Sequence, residues 1–79
     1  MSQNFDFDVQ QETVEERAAR EGRLRAAEIA RRFAAIDRER IRPLAAIAAG
    51  TATDEDRSRL AALEQEATQL RAELAGLQN

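Results

Sequence analysis

Apolar residues recur at helical spacing along most of this chain, in two blocks separated by a short glycine- and threonine-containing stretch. The first block, about 14–49, consists mostly of Ala, Arg, Glu, Leu and Ile, which favour helices. The second block, about 54–77, spaces its leucines three and four residues apart. The pattern predicts an all-α antiparallel helical hairpin, with a turn over 50–53 and one hairpin domain over 11–79.

Local signals mark where both helices begin and where the first one ends. Thr13 followed by Glu16 has the spacing of a capping box, and Thr53 followed by Asp56 repeats it. Gly50 lies where the end of a helix commonly needs a left-handed backbone. These signals predict the turn between the two helices.

A proline inside the first block decides whether that block is one helix or two. At about 100° per residue, an apolar stripe that starts at Ile29 keeps its direction across Pro43. The other residues on this stripe are Phe33, Ile36, Leu44 and Ile47. A break would need Arg42 as an N-cap, and arginine caps poorly. We predict one long helix kinked over 39–43; the alternative is a stop near Arg42, because residues before proline disfavour helix.

The second helix carries a heptad seam formed by Leu60, Leu63, Ala67, Leu70, Leu74 and Leu77. The seam is too short for a stable free-standing coiled coil, so we expect it to pack on the first helix. At about 1.5 Å per residue, the shorter helix is expected to end near residue 25 of the longer one. The segment from Val14 to about Arg25 would then lack a partner within the chain.

The two helices have few large apolar side chains, and each helix of a two-helix layer keeps one side in water. Leu24 and Ile41 lie off the main stripe, at about −140° and about 120°, and mark a second contact surface. We therefore predict a homodimer in a four-helix arrangement, or assembly on a larger partner. The predicted self-association residues are Leu24, Ile41, Leu63, Leu70 and Leu74.

Residues 1–10 have a different pattern, in which Phe5, Phe7 and Val9 alternate with aspartates. A period of two suits an extended segment, and chain termini often lack fixed structure, so we expect a flexible N-terminal arm. The alternative is a docking arm, because an aromatic pair can anchor an extended segment in a partner's groove. Phe5 and Phe7 are therefore predicted partner-binding residues.

Composition argues against catalysis and bound cofactors. The chain has no Cys and no His, and its 12 basic residues are all arginines. It thus lacks an activated nucleophile beside a base and any thiolate metal ligand, and the acidic cluster over 54–56 lacks the glycine and spaced ligands of a calcium loop. We therefore predict no catalytic residue, metal site or cofactor. No apolar run approaches the roughly 20 residues that span a membrane, and the N-terminus does not resemble a signal peptide. We expect a cytoplasmic protein.

Arginines are concentrated in the first helix, where a basic stripe can contact phosphate. The second helix is acidic and the net charge is −3, so nucleic acid is not the expected partner. Many of these arginines are also spaced for intrahelical pairs, as are Arg17 with Glu21 and Glu28 with Arg31 or Arg32. We therefore expect a solvated, partly paired face. Arg38 and Arg42, beside the proline, are the predicted partner-binding residues within it.

A resemblance to a known group of proteins covers residues 37–66, DRERIRPLAAIAAGTATDEDRSRLAALEQE. This segment resembles the C-terminal helical hairpins of small tailed-phage proteins, notably tail and tail-fibre assembly proteins. In that family an arginine shortly before an I-R-P-L segment is followed by an A-T-x-E-[ED] turn that leads into a second helix. The matching residues are Arg38, Ile41, Arg42, Pro43, Leu44, Ala52, Thr53, Glu55 and Asp56.

The resemblance implies a non-enzymatic phage or prophage accessory protein that binds other proteins during tail assembly. Its partner would be a phage tail component, met in the host cytoplasm or in the virion. The alternative is a small phage-encoded inhibitor, such as an anti-CRISPR or another antagonist of host machinery, that blocks a host protein with an acidic helical surface. Both functions depend on protein binding.

Overall fold

A computed structural model describes residues 12–78 of the chain. Helix α1 spans Val14–Ala49 and helix α2 spans Asp54–Leu77, and no strand occurs within the described residues. The two helices pack against each other in antiparallel orientation. The predicted all-α hairpin and the ranges of its two helices are confirmed.

Threonine side chains cap the start of both helices. Thr13 Oγ1 accepts a hydrogen bond from the Glu16 backbone N–H at 3.0 Å, and the Glu16 carboxylate accepts one from the Thr13 N–H. Thr53 and Asp56 form the same reciprocal arrangement at the start of α2. Each box satisfies N–H groups that the first turn of a helix leaves without helical acceptors.

The turn after α1 is a Schellman motif centred on Gly50, whose φ of 75° is left-handed. The Gly50 N–H donates to the Ile47 carbonyl at 3.1 Å, and the Thr51 N–H donates to the Ala46 carbonyl at 2.9 Å. These bonds pair carbonyls that the end of a helix otherwise leaves open. The predicted role of Gly50 is confirmed.

Pro43 lies inside α1, which continues past it, so the alternative of a helix that stops near Arg42 is wrong. Because proline has no N–H, the Glu39 carbonyl loses its helical donor. The proline ring is buried, and it lines a depression together with Glu55 and Arg59 from the start of α2. Burial of the ring beside α2 offsets part of the lost hydrogen bond, which an isolated helix could not do.

The core lies in the middle of the hairpin. Its buried side chains are Ile29, Ile36, Leu63 and Ala67. Phe33 and Leu70 are half-buried and pack against Ile36, Leu63 and Ala67. The predicted heptad seam therefore faces α1, and Ala67, at 0% exposure, lets the two backbones approach closely.

Near the turn, α2 no longer covers the apolar stripe of α1. Leu44 and Ile47 lie on the predicted stripe, yet they are 47% and 43% exposed. The start of α2, from Asp54 to Arg59, has no apolar side chain that could cover them. The core therefore ends where the first leucine of α2, Leu60, begins the seam.

At the end of the hairpin away from the turn, α1 and α2 overlap over a longer stretch than expected. Ala19 and Gly22 of α1 line one groove with Leu77 of α2, so α2 ends about one turn beyond the predicted point. The pairing of Glu39 with Arg59 explains why α2 ends one turn closer to the N-terminus of α1. It shows that α2 begins alongside the last turns of α1 rather than beyond them, which moves the whole helix toward the N-terminus of α1.

The turn geometry predicts opposite effects for two glycine substitutions. Gly50→Ala should lower the free energy of unfolding by about 1–2 kcal/mol, because a Cβ strains the left-handed backbone. Gly22→Ala is the matched control: Gly22 lies within α1 and its added Cβ meets no atom within 4 Å. It should raise the free energy of unfolding by about 0.5–1 kcal/mol. Urea unfolding followed by circular dichroism measures both, and a Gly50→Ala chain as stable as the original contradicts this turn.

Candidate protein-binding surface

A ladder of ion pairs runs along one flank of the hairpin. Its rungs are Arg25 with Glu73, Arg32 with Glu66, and Glu39 with Arg59. The rungs recur every seven residues on both helices, and the third reverses the order of the charges. Sliding α2 by one heptad would bring Arg32 against Arg59, and like charges in contact destabilise. The ladder therefore selects one register, which the leucine seam alone does not.

The ladder favours the ionised form of two of its carboxylates, Glu66 and Glu73. The hydrogen bond from Arg32 lowers the pKa of Glu66 below its ordinary value of 4.5, and the bond from Arg25 does the same for the pKa of Glu73. The same hydrogen bonds raise the pKa of both guanidinium groups. These groups are at the surface, so salt weakens the attraction between them.

Arg40 lies within the apolar stripe of α1, about 20° around the helix from Ile29. Its side chain is 25% exposed, and its Nε lies 2.8 Å from Glu64 Oε1. That Nε is buried and has no partner with hydrogen-bond geometry, so charge attraction alone joins the pair. Glu64 and Glu66 lie on opposite flanks of α2, and α1 thus supplies arginines to both flanks.

Other arginines pair differently from the intrahelical pairs that spacing predicts. Arg32 pairs with Glu66 across the hairpin instead of with Glu28. Arg17 lies 3.7 Å from Glu12, which precedes α1, and not beside Glu21. Carboxylates outside the helix can meet an arginine with two parallel hydrogen bonds, as Glu66 does, and that geometry is stronger than a single contact along a helix.

A second charged surface of α1 points away from α2. We call it the back face, and it is formed by Leu24, Arg31, Arg38, Ile41 and Arg42. These residues lie about 120–220° around the helix from the buried Ile29. Leu24 is 58% exposed and Ile41 is 66% exposed. The back face therefore combines apolar side chains with arginines.

The arginines of the back face have no counter-ion in the part of the chain that the structure describes. Across residues 12–78, no carboxylate lies within ion-pair distance of Arg31, Arg38 or Arg42. On the other side of the same helix, Arg25 and Arg32 are held by glutamates of α2. The arginines of α1 that face α2 are thus neutralised, whereas Arg31, Arg38 and Arg42 on the back face are not.

The structure brings together two of the predicted partner-binding residues. Arg38 and Arg42 lie one turn apart on the back face, with Ile41 between them in sequence. The other two, Phe5 and Phe7, lie outside the described residues. Nothing in the described structure therefore relates the aromatic pair to the back face.

The predicted self-association residues fall into two groups. Leu24 and Ile41 lie on the back face and are exposed. Leu63 is 2% exposed, and Leu70 and Leu74 are half-buried on the seam that packs against α1. Because the hairpin uses the seam internally, only Leu24 and Ile41 of this set present most of their side chain to another molecule.

A depression of about 570 Å³ lies beside the back face, and sequence reasoning did not anticipate it. It is lined by Glu39, Arg42, Pro43, Glu55, Asp56, Ser58 and Arg59. In the sequence, Pro43 is the residue that marks this region as unusual. The α2 residues that lie opposite Pro43 depend on the register between the two helices, which the spacing of residues does not reveal. Arg42 lies at both this depression and the back face.

Residues 12–78 show neither a metal-binding cluster nor a membrane-spanning helix. No cluster of three or more Asp or Glu side chains there could hold a metal ion. Neither described helix is both long enough and apolar enough to cross a membrane.

Comparison with known proteins finds no matching family model, no similar curated protein and no similar solved structure. The chemistry of the exposed surface is therefore what bears on function.

The lowered glutamate pKa values predict that acid destabilises the hairpin. A carboxylate with a lowered pKa in the folded chain contributes its full stabilisation above its ordinary pKa, here 4.5, and loses it as pH falls through the folded value. We expect the melting temperature to fall between about pH 5 and about pH 2, followed by circular dichroism. The double variant Glu66→Gln/Glu73→Gln should melt lower at neutral pH and change less on acidification. A melting temperature that rises in acid contradicts the ladder.

Proposed function

We propose that this chain is a non-enzymatic protein-binding module. The observation that carries the proposal is the back face, where Arg31, Arg38 and Arg42 lie exposed beside Leu24 and Ile41 without counter-ions among the described residues. Arginine with adjacent apolar side chains is a composition found at protein interfaces, because guanidinium groups bind carboxylates while their stems cover apolar surface.

Incomplete burial within the hairpin supports the same proposal. Large apolar side chains remain 39–80% exposed on both helices. They are Val14, Leu24, Ile41, Leu44, Ile47 and Leu77. Removing such surface from water is worth about 25 cal/mol per Å², which a partner can supply and a two-helix layer cannot.

The specific function that we propose is that of an accessory protein of a tailed phage, acting in tail assembly in the host cytoplasm or the virion. The support is the resemblance of residues 37–66 to the hairpins of tail and tail-fibre assembly proteins. In that segment Ile41 and Arg42 lie on the back face, while Pro43 and Thr53 build the hairpin. The residues that carry the resemblance thus include surface residues as well as structural ones.

A phage-encoded inhibitor of a host protein is the second candidate. The observation that favours it is the acidic start of α2, where Glu55 and Asp56 line the depression beside Pro43. An acidic surface of this kind can occupy a basic site on a host enzyme by charge complementarity. The two candidates differ in the identity of the bound protein.

Affinity capture tests the proposed function. A tagged chain expressed during infection should retain a virion tail protein, which mass spectrometry identifies; a host enzyme in its place would favour the inhibitor. The double charge reversal Arg38→Glu/Arg42→Glu should reduce the captured partner by at least about tenfold, because it reverses the charge of the back face. Phe5→Ala/Phe7→Ala tests the N-terminal arm in the same assay.

The matched control is Arg57→Glu/Arg71→Glu, which makes the same change of charge on α2. Arg57 and Arg71 are exposed and lie outside the ladder and the back face. The control should retain the partner. Equal loss with both double variants would show an effect of net charge alone, and capture of no protein would contradict the proposal.

A further inference from the structure

Four of the five back-face residues, all except Arg42, belong to a longer repeat along α1. Positions three and four residues apart form it: Arg20, Leu24, Ala27, Arg31, Ala34, Arg38, Ile41, Ala45 and Ala48. Each of these residues is exposed in the hairpin. Such spacing places the side chains on one line along a helix and is typical of a helix that packs lengthwise on another. Since α2 covers the opposite side, α1 has two seams.

We propose that a second copy of this chain packs antiparallel on the back face; the inference rests on the proposed protein-binding function and names the occupant. The facing residues in the two copies would be Leu24 with Ile41, Arg31 with Ala34, Arg38 with Ala27, and Ala45 with Arg20. A twofold axis makes every pair occur twice. Each arginine meets an alanine, so the helices can approach to about 8 Å while the guanidinium groups reach outward.

The same register brings two of the unneutralised arginines near carboxylates of the second copy. The pairs are Arg42 with Glu21 and Arg38 with Glu28, and the members of each pair lie on the same flank of the interface. The partners are offset along the helix by about 1.5–3 Å, which an arginine side chain spans. Glu28 is available, since its side chain is 56% exposed and its ion pair within its own chain is a contact of 3.7 Å.

Other arrangements of two back faces bring like charges together or lose the apolar contact. A parallel pair aligns Arg31 with Arg31 and Arg38 with Arg38, which repel. An antiparallel shift by one heptad in either direction separates Leu24 from Ile41, and in one direction it also sets Arg38 against Arg20. An acidic foreign helix would neutralise the arginines but would leave Glu21 and Glu28 facing it. The surface therefore complements itself better than it complements an acidic partner.

The resulting four-helix arrangement is a layer with both α1 helices in the middle and both α2 helices outside. It covers Leu24 and Ile41, and it leaves the depression beside Pro43 open to a foreign partner. It also assigns Arg38 and Arg42 to self-association instead of direct contact with that partner. Loss of capture in the Arg38→Glu/Arg42→Glu variant would then result from loss of the dimer.

Cysteine cross-linking tests the register, and the chain has no native cysteine. Purified Leu24→Cys and Ile41→Cys chains are mixed, oxidised mildly and analysed on a non-reducing gel. The proposal expects a disulfide-linked dimer from the mixture and none from either variant alone. Two copies of residue 24 would lie about 25 Å apart, beyond the roughly 7 Å between Cα atoms that a disulfide allows.

The control is a mixture of Ala61→Cys and Ala72→Cys chains, whose substituted residues are exposed on α2. It reports cross-links formed by random collision. Equal yields in the two mixtures, or cross-linking of Leu24→Cys chains with each other, would overturn the proposal. Sedimentation of the unsubstituted chain as a monomer from micromolar to millimolar concentration would overturn it as well.

Charge exchange tests the polar contacts without introducing cysteine. Arg42→Glu alone and Glu21→Arg alone should each weaken the dimer about tenfold, since each reversal creates two like-charge contacts. A chain with both substitutions should regain most of the original affinity. Circular dichroism of each variant checks that the hairpin still folds. Failure of the double variant to regain affinity would overturn the Arg42–Glu21 contact and the proposed register.

The two proposals fail in different ways. A chain that stays monomeric but still captures a partner through Arg38 and Arg42 refutes the second copy and leaves the protein-binding function in place. A chain that dimerises in the expected register but captures no protein refutes the assembly function and leaves the dimer in place.

Discussion

The contact of Ile36 with Leu63 and Ala67 holds the two helices together, and most other features depend on how little apolar surface surrounds it. Two helices can bury only the stripe that each presents to the other. Toward the turn that stripe meets the polar start of α2, and Leu44 stays exposed. The hairpin is thus held by a narrow contact and leaves apolar residues uncovered on several sides.

Charge supplies the specificity that this small core lacks. A leucine seam repeats every seven residues, so a slide by one heptad would keep much of the apolar contact. The ladder prevents the slide because its third rung, Glu39 with Arg59, has the opposite polarity to the first two. Three arginines of α1 that take no part in the ladder, Arg31, Arg38 and Arg42, lie on the back face. One helix thereby presents the same residue type to α2 on one side and to solvent on the other.

Features set by local chemistry could be predicted from the sequence, and features set by register could not. The caps at Thr13 and Thr53 and the left-handed Gly50 depend on residues within one turn, and all are confirmed. The pairing of Arg32 with Glu66 joins residues far apart in the chain, so spacing along one helix pointed to Glu28 instead. The depression beside Pro43 escaped prediction for the same reason, since residues of both helices form it.

The unequal lengths of the helices have a consequence for how firmly each part of α1 is held. From Val14 to Arg17 the helix extends past the end of α2 and is secured by its cap and by Glu12. Local opening of such turns requires little free energy, whereas exchange of amide hydrogens around Ile36 requires separation of the two helices. Hydrogen exchange should therefore slow progressively from the N-terminus of α1 toward its centre, so that tension applied at that end would unravel the helix gradually instead of in one cooperative step.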